Sequence, residues 1–190
     1  MKLKICGNRT IDDIDCLNRA GVDFCGFVFA EHPQKITLET AKRLKERLNP
    51  RIETVGAFLD EPYEYVKEVV ESGVVDYVQF HGSGTYSGLP VKTIKSFIIP
   101  LDKEFHTECD FVLFDAFRRG VRGSTGGMFD WRLIADYDEK PFFLAGGINE
   151  SNIGEAIGYG PYCIDVSSGA ESDGRKDLQK ILKLRRACDE

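Results

Sequence analysis

Short apolar segments recur along the chain, and most are followed by a turn and then by a segment with helical spacing of apolar residues. Eight of these runs are predicted strands, and most of them are nearly continuous rather than alternating, which is typical of strands buried on both faces of a parallel sheet. The predicted strands cover residues 3–6, 23–29, 53–58, 77–80, 92–98, 111–114, 142–145 and 163–166.

Apolar positions three and four residues apart predict helices between these strands. The predicted helices cover residues 10–20, 38–48, 62–72 and 130–137, a segment that begins at Asn149, and residues 176–188. Thr10 and Asp13 have the spacing of a capping box at the start of the first helix. The connections after the fourth and fifth strands are too short, or too rich in glycine, serine and proline, for a full helix.

Repeated strand–helix units predict a parallel α/β sheet, and eight of them favour a closed (β/α)8 barrel. The 190 residues are predicted to form one domain, residues 1–190. This length is short for such a barrel, which typically has ~250 residues. Shortened or missing helices after strands 4 and 5 account for the difference. The alternative is an open doubly wound sheet, but that fold usually has about five or six strands.

The charge balance excludes several classes of partner. The chain has 25 Lys and Arg against 31 Asp and Glu, a formal net charge of −6, so nucleic acid is not an expected partner. No apolar run approaches the ~20 residues of a membrane span, and no signal-peptide core is present, so we expect a cytoplasmic protein without a membrane partner. The six cysteines and three histidines lack metal-ligand spacing, and we expect no metal.

Reactive residues of a (β/α)8 barrel lie at the carboxyl ends of its strands. Cys6 ends the first predicted strand and Asp115 follows the sixth, so they are the best acid–base pair by position. Taken alone, Cys6 is more often a small buried apolar residue, and Asp115 either caps a loop or acts as an acid. The glycine- and arginine-rich segment 116–128 is either a lid over the site or an exposed connection.

The ends of strands 7 and 8 predict a phosphate site. Glycine-rich turns there place backbone N–H groups side by side, and these two loops are where barrels commonly bind phosphate. The alternative is that the glycines only form tight turns. The candidate residues are Gly146, Gly147, Ser167, Ser168 and Gly169.

Taken together, these strand ends resemble the phosphoribosylanthranilate isomerase family, whose fold is a (β/α)8 barrel. The matching segments are K-I-C-G-N-R-T at 4–10, G-F-V-F at 26–29, V-G-A-F at 55–58, V-Q-F-H-G at 78–82, I-K at 94–95, Asp115, G-S-T-G-G-M-F-D-W at 123–131, G-G-I-N at 146–149, D-V-S-S-G-A-E at 165–171 and K-D at 176–177. The match covers residues 4 to about 181 in order.

The resemblance implies an aldose–ketose isomerase of tryptophan biosynthesis. Its reaction would be the Amadori rearrangement of N-(5-phospho-β-D-ribosyl)anthranilate to 1-(2-carboxyphenylamino)-1-deoxy-D-ribulose 5-phosphate, without a cofactor. The resemblance implies that Asp115 is the general acid that opens the furanose ring and that Cys6 is the general base that removes the C2 proton. Substrate contacts are expected from Gln34, His81, Asp165 and the loops after strands 7 and 8. We expect a monomer or a homodimer.

One departure from the family affects recognition of the substrate. After strand 2 the family commonly has Ser-Pro-Arg, with the arginine facing the anthranilate carboxylate, whereas this chain has H-P-Q-K at 32–35. Gln34 carries no charge, and Lys35 compensates only if its side chain turns inward. The segment 123–126 also departs from the family's Gly-Gly-Thr-Gly. Two alternatives therefore stay open: the same mechanism on a related phosphosugar amine, or a non-catalytic phosphate-binding paralogue.

Overall fold

Eight parallel strands close into a barrel in chain order in the computed structural model, which describes residues 1–82, 84, 86–99, 105–116 and 129–190. The ring closes between the first and last strands, where Lys4 is the register partner of Asp165. This confirms the predicted barrel over the open sheet. The strands are β1 Lys2–Ile5, β2 Phe24–Val28, β3 Glu53–Phe58, β4 Tyr77–Phe80, β5 Lys92–Ile98, β6 Phe111–Asp115, β7 Phe142–Leu144 and β8 Cys163–Val166.

The described helices pack outside the barrel. They are α1 Ile11–Ala20, α2 Leu38–Arg47, α3 Tyr63–Glu71, α4 Ile153–Ile157 and α5 Leu178–Asp189, with 3₁₀ turns at Trp131–Ile134 and Ser168–Ala170. The predicted capping box of α1 is confirmed, because the Thr10 and Asp13 side chains each accept from the other's backbone N–H. Gly21, with φ 65°, then ends α1 in the left-handed region that favours glycine. Within the described residues, no helix is long and apolar enough to cross a bilayer.

Among the described residues, the helical layer is thin between β4 and β8. The described residues between β4 and β5, and between β5 and β6, contain no helix, which confirms the prediction of reduced helices there. The segment predicted as a helix at 130–137 forms only a 3₁₀ turn, Trp131–Ile134. The helix expected to begin at Asn149 begins instead at Ile153, because the Asn149 side chain is used in a turn with Ser151 N and Gly147 O.

A two-stranded antiparallel hairpin precedes α5 and is absent from the sequence prediction. Its strands are β9 Glu171–Ser172 and β10 Arg175–Lys176. Lys176, expected to begin the C-terminal helix, therefore lies in β10. Asp177 caps α5 instead, and its side chain accepts from the backbone N–H groups of Gln179 and Lys180. This places the Lys176 side chain at the barrel mouth rather than on a helix surface.

The barrel interior is apolar at the amino-terminal ends of the strands and polar above them. An aromatic cluster fills the lower part, where Phe24 contacts Tyr77 edge-on with ring centroids 5.3 Å apart. The next layer contains buried Lys4, Gln79 and Asp165. Burying polar groups is costly unless they are hydrogen-bonded, so this layer marks the floor of a candidate site at the carboxyl ends of the strands.

Candidate active site at the carboxyl ends of the strands

The structure brings Cys6 and Asp115 to the same rim of the barrel. Cys6 directly follows β1, and its N–H donates to Val166 O at 2.8 Å, which continues the pairing with β8. Asp115 is the last residue of β6. Leu113 belongs to the interior cluster, and strand side chains alternate with a period of two, so Asp115 faces the barrel mouth. The predicted lid covers residues 116–128, and all of it beyond Ala116, including the departure at 123–126, lies outside the described residues.

The surroundings of Cys6 favour its neutral thiol in the free protein. Burial raises the pKa of Cys6, and the Asp165 carboxylate acts in the same direction. The positive charges of Lys4 and Lys176 oppose this effect without cancelling it. Gly26 on β2 leaves room for the thiol, since a Cβ there would lie 2.9 Å from Cys6 Sγ.

A buried ion pair lies one layer below Cys6. Lys4 Nζ is 2.6 Å from Asp165 Oδ2 and 2.9 Å from Gln79 Oε1. Burial lowers the pKa of Lys4, but the Asp165 charge, the hydrogen bond to Asp165 and the Cys6 side chain together outweigh burial, so the pKa is raised and the ammonium stays charged. Asp165, predicted to contact substrate, thus has one oxygen committed to Lys4, while Oδ1 is buried without a partner among the described residues. The two-residue offset of Lys4 from Cys6 is the sequence signal for this pair.

His81 lies at the carboxyl end of β4, directly above Gln79. Its Nε2 is 2.6 Å from Gln79 Nε2, and its backbone N–H donates to Phe58 O at 2.9 Å. The next residue, Gly82, packs so closely on the loop after β3 that a Cβ would overlap the Asp60 carboxylate. The loops after β3 and β4 therefore fix the backbone of His81 and Gly82 at the rim.

Gln34 also reaches the rim, but its amide is already hydrogen-bonded. Its Nε2 donates to Glu171 Oε1 at 2.9 Å, and Ser167 Oγ donates to its Oε1 at 3.3 Å. The side chain lies over Gly7, where a Cβ would overlap the Gln34 amide. Gln34 therefore connects the loops that follow β1, β2 and β8.

Lys176, rather than Lys35, supplies a buried cation beside Gln34. Lys35 Nζ pairs with exposed Glu31 at 2.8 Å, so the condition under which Lys35 would compensate for Gln34, an inward-turned side chain, is not met. Lys176 Nζ lies 2.6 Å from Glu171 Oε1, the same oxygen that accepts from Gln34, and only 1% of its side chain is exposed. Sequence reasoning missed Lys176 as a site residue because it assigned that residue to a helix.

The predicted phosphate loops after β7 and β8 lie in direct contact. Gly146 and Gly147 have φ 89° and 66°, and a Cβ at Gly146 would lie 2.7 Å from Ala116 N. Gly169, in the 3₁₀ turn Ser168–Ala170, packs so closely on the neighbouring loop that a Cβ would overlap Ile148 O. Two glycine turns are thus packed backbone against backbone at one edge of the rim, next to Ser167 and Ser168.

The described residues include no group of three or more His, Cys, Asp or Glu side chains placed to hold a metal ion. The arrangement is a thiol, a carboxyl group and an imidazole around one barrel mouth, with two packed glycine turns at its edge. It defines the chain as a (β/α)8-barrel protein with a polar site at the carboxyl ends of its strands, the location of active sites in this class.

Comparison with known proteins then identifies the family. The family model described as N-(5'phosphoribosyl)anthranilate (PRA) isomerase matches residues 3–187, and the chain belongs to this family. One relative, N-(5'-phosphoribosyl)anthranilate isomerase of Endomicrobium trichonymphae, is 39% identical over 191 residues, which covers 96% of this chain and 95% of the relative.

Solved structures agree with this placement. The phosphoribosyl anthranilate isomerase of Thermus thermophilus superposes with a TM-score of 0.88 at 28% identity and covers 100% of this chain and 98% of its own. A second isomerase structure, in complex with reduced 1-(o-carboxyphenylamino)-1-deoxyribulose 5-phosphate, has a TM-score of 0.82 at 27% identity, with 100% and 98% covered.

Proposed function

We propose that the chain catalyses the Amadori rearrangement of N-(5-phosphoribosyl)anthranilate to 1-(2-carboxyphenylamino)-1-deoxy-D-ribulose 5-phosphate in tryptophan biosynthesis. The observation that carries this proposal is the family match over residues 3–187, combined with Cys6 and Asp115 at the ends of β1 and β6 on one rim. The reaction requires an acid and a base beside the substrate, and the Cys6 thiol and the Asp115 carboxyl group both lie on this rim. A paralogue that only bound phosphate would have no chemical need for either.

In the first step, Asp115 acts as the general acid. Its carboxyl proton goes to the furanose ring oxygen, the bond from that oxygen to C1 breaks, and the nitrogen lone pair forms a C1=N bond. The product is an open-chain Schiff base with a positive nitrogen. Asp115 is the last residue of β6, at the rim of the barrel where the substrate is proposed to bind.

In the second step, Cys6 acts as the general base. The Cys6 thiolate takes the C2 proton, and the electrons of the C–H bond form a C1=C2 bond as the Schiff base nitrogen becomes neutral. The resulting enolamine tautomerises to the ketone. The positive nitrogen acidifies the C2 proton and lowers the cost of forming a thiolate beside it, so a thiol whose pKa is raised in the free protein suffices.

The substrate phosphate is proposed to bind the turns that contain Gly146, Gly147 and Gly169, together with Ser167 and Ser168. Support comes from the close contact between the two loops, in which Gly169 packs on the backbone at Ile148. Glycine turns of this kind accept anions through backbone N–H groups. A phosphate at this edge would hold the reacting carbons of the sugar over the centre of the barrel.

A fluorescence assay that follows the loss of freshly generated phosphoribosylanthranilate tests the proposal. We expect turnover by the wild-type protein that stops when Cys6 or Asp115 is replaced. Absence of turnover, under conditions where a known isomerase works, would refute the proposed function. We also propose that the protein acts in the cytoplasm as a monomer or homodimer, and sedimentation analysis of the full chain measures its oligomeric state.

A second candidate, an isomerase of a related phosphosugar amine, is favoured by one observation. Gln34 stands where the family commonly has an arginine, and its amide is hydrogen-bonded to Glu171 and Ser167. This candidate predicts no wild-type activity on phosphoribosylanthranilate but activity in the Gln34→Arg variant. It also predicts faster turnover of an analogue that lacks the anthranilate carboxylate.

A further inference from the structure

A series of hydrogen bonds crosses the barrel interior from β1 to β4, directly beneath the site. Lys4 Nζ lies 2.9 Å from Gln79 Oε1, and Gln79 Nε2 lies 2.6 Å from His81 Nε2. Lys4 is fully buried, and Gln79 is almost fully buried. The donor and acceptor roles of the three groups must therefore be mutually consistent, since each lost bond would leave a buried polar atom unsatisfied.

The ammonium group of Lys4 determines the direction of both bonds. An ammonium only donates, so the Gln79 atom that faces it must be the amide oxygen. The amide nitrogen then faces His81, and because that nitrogen also only donates, His81 Nε2 has to accept. A neutral imidazole that accepts at Nε2 carries its proton at Nδ1.

The surroundings of the ring keep His81 neutral. Burial lowers the pKa of His81 to about 4, and the charges of Lys4 and Lys95 act in the same direction. Lys95 Nζ also donates to Gly82 O, which anchors the backbone that carries the ring. His81 Nδ1 is buried and has no partner within the part of the chain that the structure describes.

The position of β4 indicates which part of the substrate His81 faces. In the closed order from β1 to β8, β4 lies four strands from β8 in either direction, across the barrel mouth. A substrate whose phosphate occupies the loops after β7 and β8 therefore extends its other end toward His81.

We propose that Lys4 and Gln79 are positioning residues that hold His81 as the neutral Nδ1–H tautomer, so that this N–H donates to an oxygen acceptor of the bound substrate. The identity of the substrate rests on the proposed function, whereas the tautomer is a property of the free protein. Because the tautomer of this ring is fixed before substrate binds, the donor does not have to reorganise on binding.

The tautomer is tested by ¹⁵N NMR of the imidazole rings in the ligand-free protein, where protonated and unprotonated ring nitrogens have well-separated shifts. His32 is an internal control, because Gln34 N donates to its Nδ1 at 3.1 Å and therefore requires the opposite tautomer. We expect an unprotonated Nε2 in His81 and an unprotonated Nδ1 in His32. A His81 ring protonated at Nε2 in the wild-type protein overturns the proposal.

Two substitutions of Gln79 extend the test to substrate binding. In Gln79→Glu, a carboxylate accepts from both neighbours, so His81 must be protonated at Nε2. At a pH where the ¹⁵N spectrum shows this ring to be neutral, Nδ1 carries no proton, and KM for phosphoribosylanthranilate should rise about tenfold through loss of the fixed donor. In Gln79→Met, which adds no charge, the single tautomer should be lost and KM should rise similarly. If the tautomer is the same in all three proteins, or if it reverses without any change in KM, the proposal is wrong.

These results separate the inference from the proposed function. An inactive wild-type protein with the Nδ1–H tautomer would refute the isomerase activity while supporting the positioning role of Lys4 and Gln79. An active wild-type protein with the Nε2–H tautomer would support the activity and overturn the positioning role. If Gln79→Glu fails to fold, the wild-type spectrum and the Gln79→Met variant still decide.

Discussion

The ε-ammonium group of Lys176 lies 2.6 Å from Glu171 Oε1, in directly paired positions of the β9–β10 hairpin. The same ammonium donates to Cys6 O at 2.6 Å and to Ser167 O at 3.3 Å. One buried side chain therefore connects the hairpin to the carboxyl ends of β1 and β8. These are the strand ends that carry the proposed base and part of the proposed phosphate site.

Removing this ammonium should destabilise the fold. In Lys176→Met, the Glu171 carboxylate keeps the Gln34 donor but loses its charged partner, and two backbone carbonyls lose the ammonium; breaking a buried ion pair in this way costs ~3–5 kcal/mol of unfolding free energy. Urea denaturation measures the loss. The control is Lys183→Met, because Lys183 pairs with Glu150 at 2.7 Å but 60% of its side chain is exposed, and such pairs contribute at most about 1 kcal/mol. Equal losses in the two variants would contradict the structural role of Lys176.

Replacing either proposed catalytic group should abolish turnover and leave the barrel folded. Cys6→Ala removes the base and Asp115→Asn removes the acid, and each should lower kcat by about 10²–10⁴-fold, the usual contribution of a positioned acid or base. Circular dichroism and a cooperative thermal transition check that each variant is folded. Near-normal rates in both variants would show that the role assignment is wrong.

The rate should depend on pH through Cys6. Only the thiolate can accept the C2 proton, and burial raises the pKa of this thiol above its ordinary value of about 8.5. The thiolate fraction, and with it kcat/KM, should therefore increase across the range from about pH 7 to 8.5. The corresponding increase in kcat should occur at lower pH, because the Schiff base cation stabilises the thiolate in the enzyme–substrate complex. A kcat/KM that is flat or falling over this range would exclude Cys6 as the base.

Most barrel strands were predictable because they are apolar runs, as in β2 and β8, where every residue is buried, and such a run depends on only a few adjacent residues. The β9–β10 hairpin was missed because its strands have only two residues each, too few for any periodicity. A signal was nevertheless present in Asp173-Gly174, since both residues have positive φ, 51° and 73°, and Asp-Gly is favoured in two-residue hairpin turns. That signal would have moved Lys176 from the helix to the hairpin.

The site residues at strand ends were predictable individually, but their partners were not. The Lys4–Gln79 bond joins positions 75 residues apart, and the Gln34–Glu171 bond joins positions 137 apart. Nothing local in the chain relates such pairs, because barrel closure alone brings them together. The interior ion pair and the hydrogen bonds of Gln34 therefore required the structure.

Adding one methyl group at Gly169 should weaken phosphate binding. In Gly169→Ala, the new Cβ would overlap Ile148 O, so the loops after β7 and β8 must separate. We expect KM for the phosphorylated substrate, and Ki for inorganic phosphate, to rise about tenfold or more. The matched control is Gly154→Ala, because a Cβ at that helical glycine meets nothing within 4 Å. If the two alanine variants bind phosphate equally well, these loops do not form the phosphate site.

Introducing the family's arginine at position 34 should strengthen recognition of the anthranilate carboxylate. In Gln34→Arg, the guanidinium would keep the contact with Glu171 Oε1 and add one positive charge to a group in which Glu171 already balances Lys176. KM for phosphoribosylanthranilate should fall about tenfold, the effect of one charge-assisted hydrogen bond, with no change for an analogue that lacks the carboxylate. Lys35→Met is the control, since Lys35 pairs with exposed Glu31 and should leave both KM values unchanged. Equal changes for the two substrates would mean that the carboxylate does not bind beside Gln34.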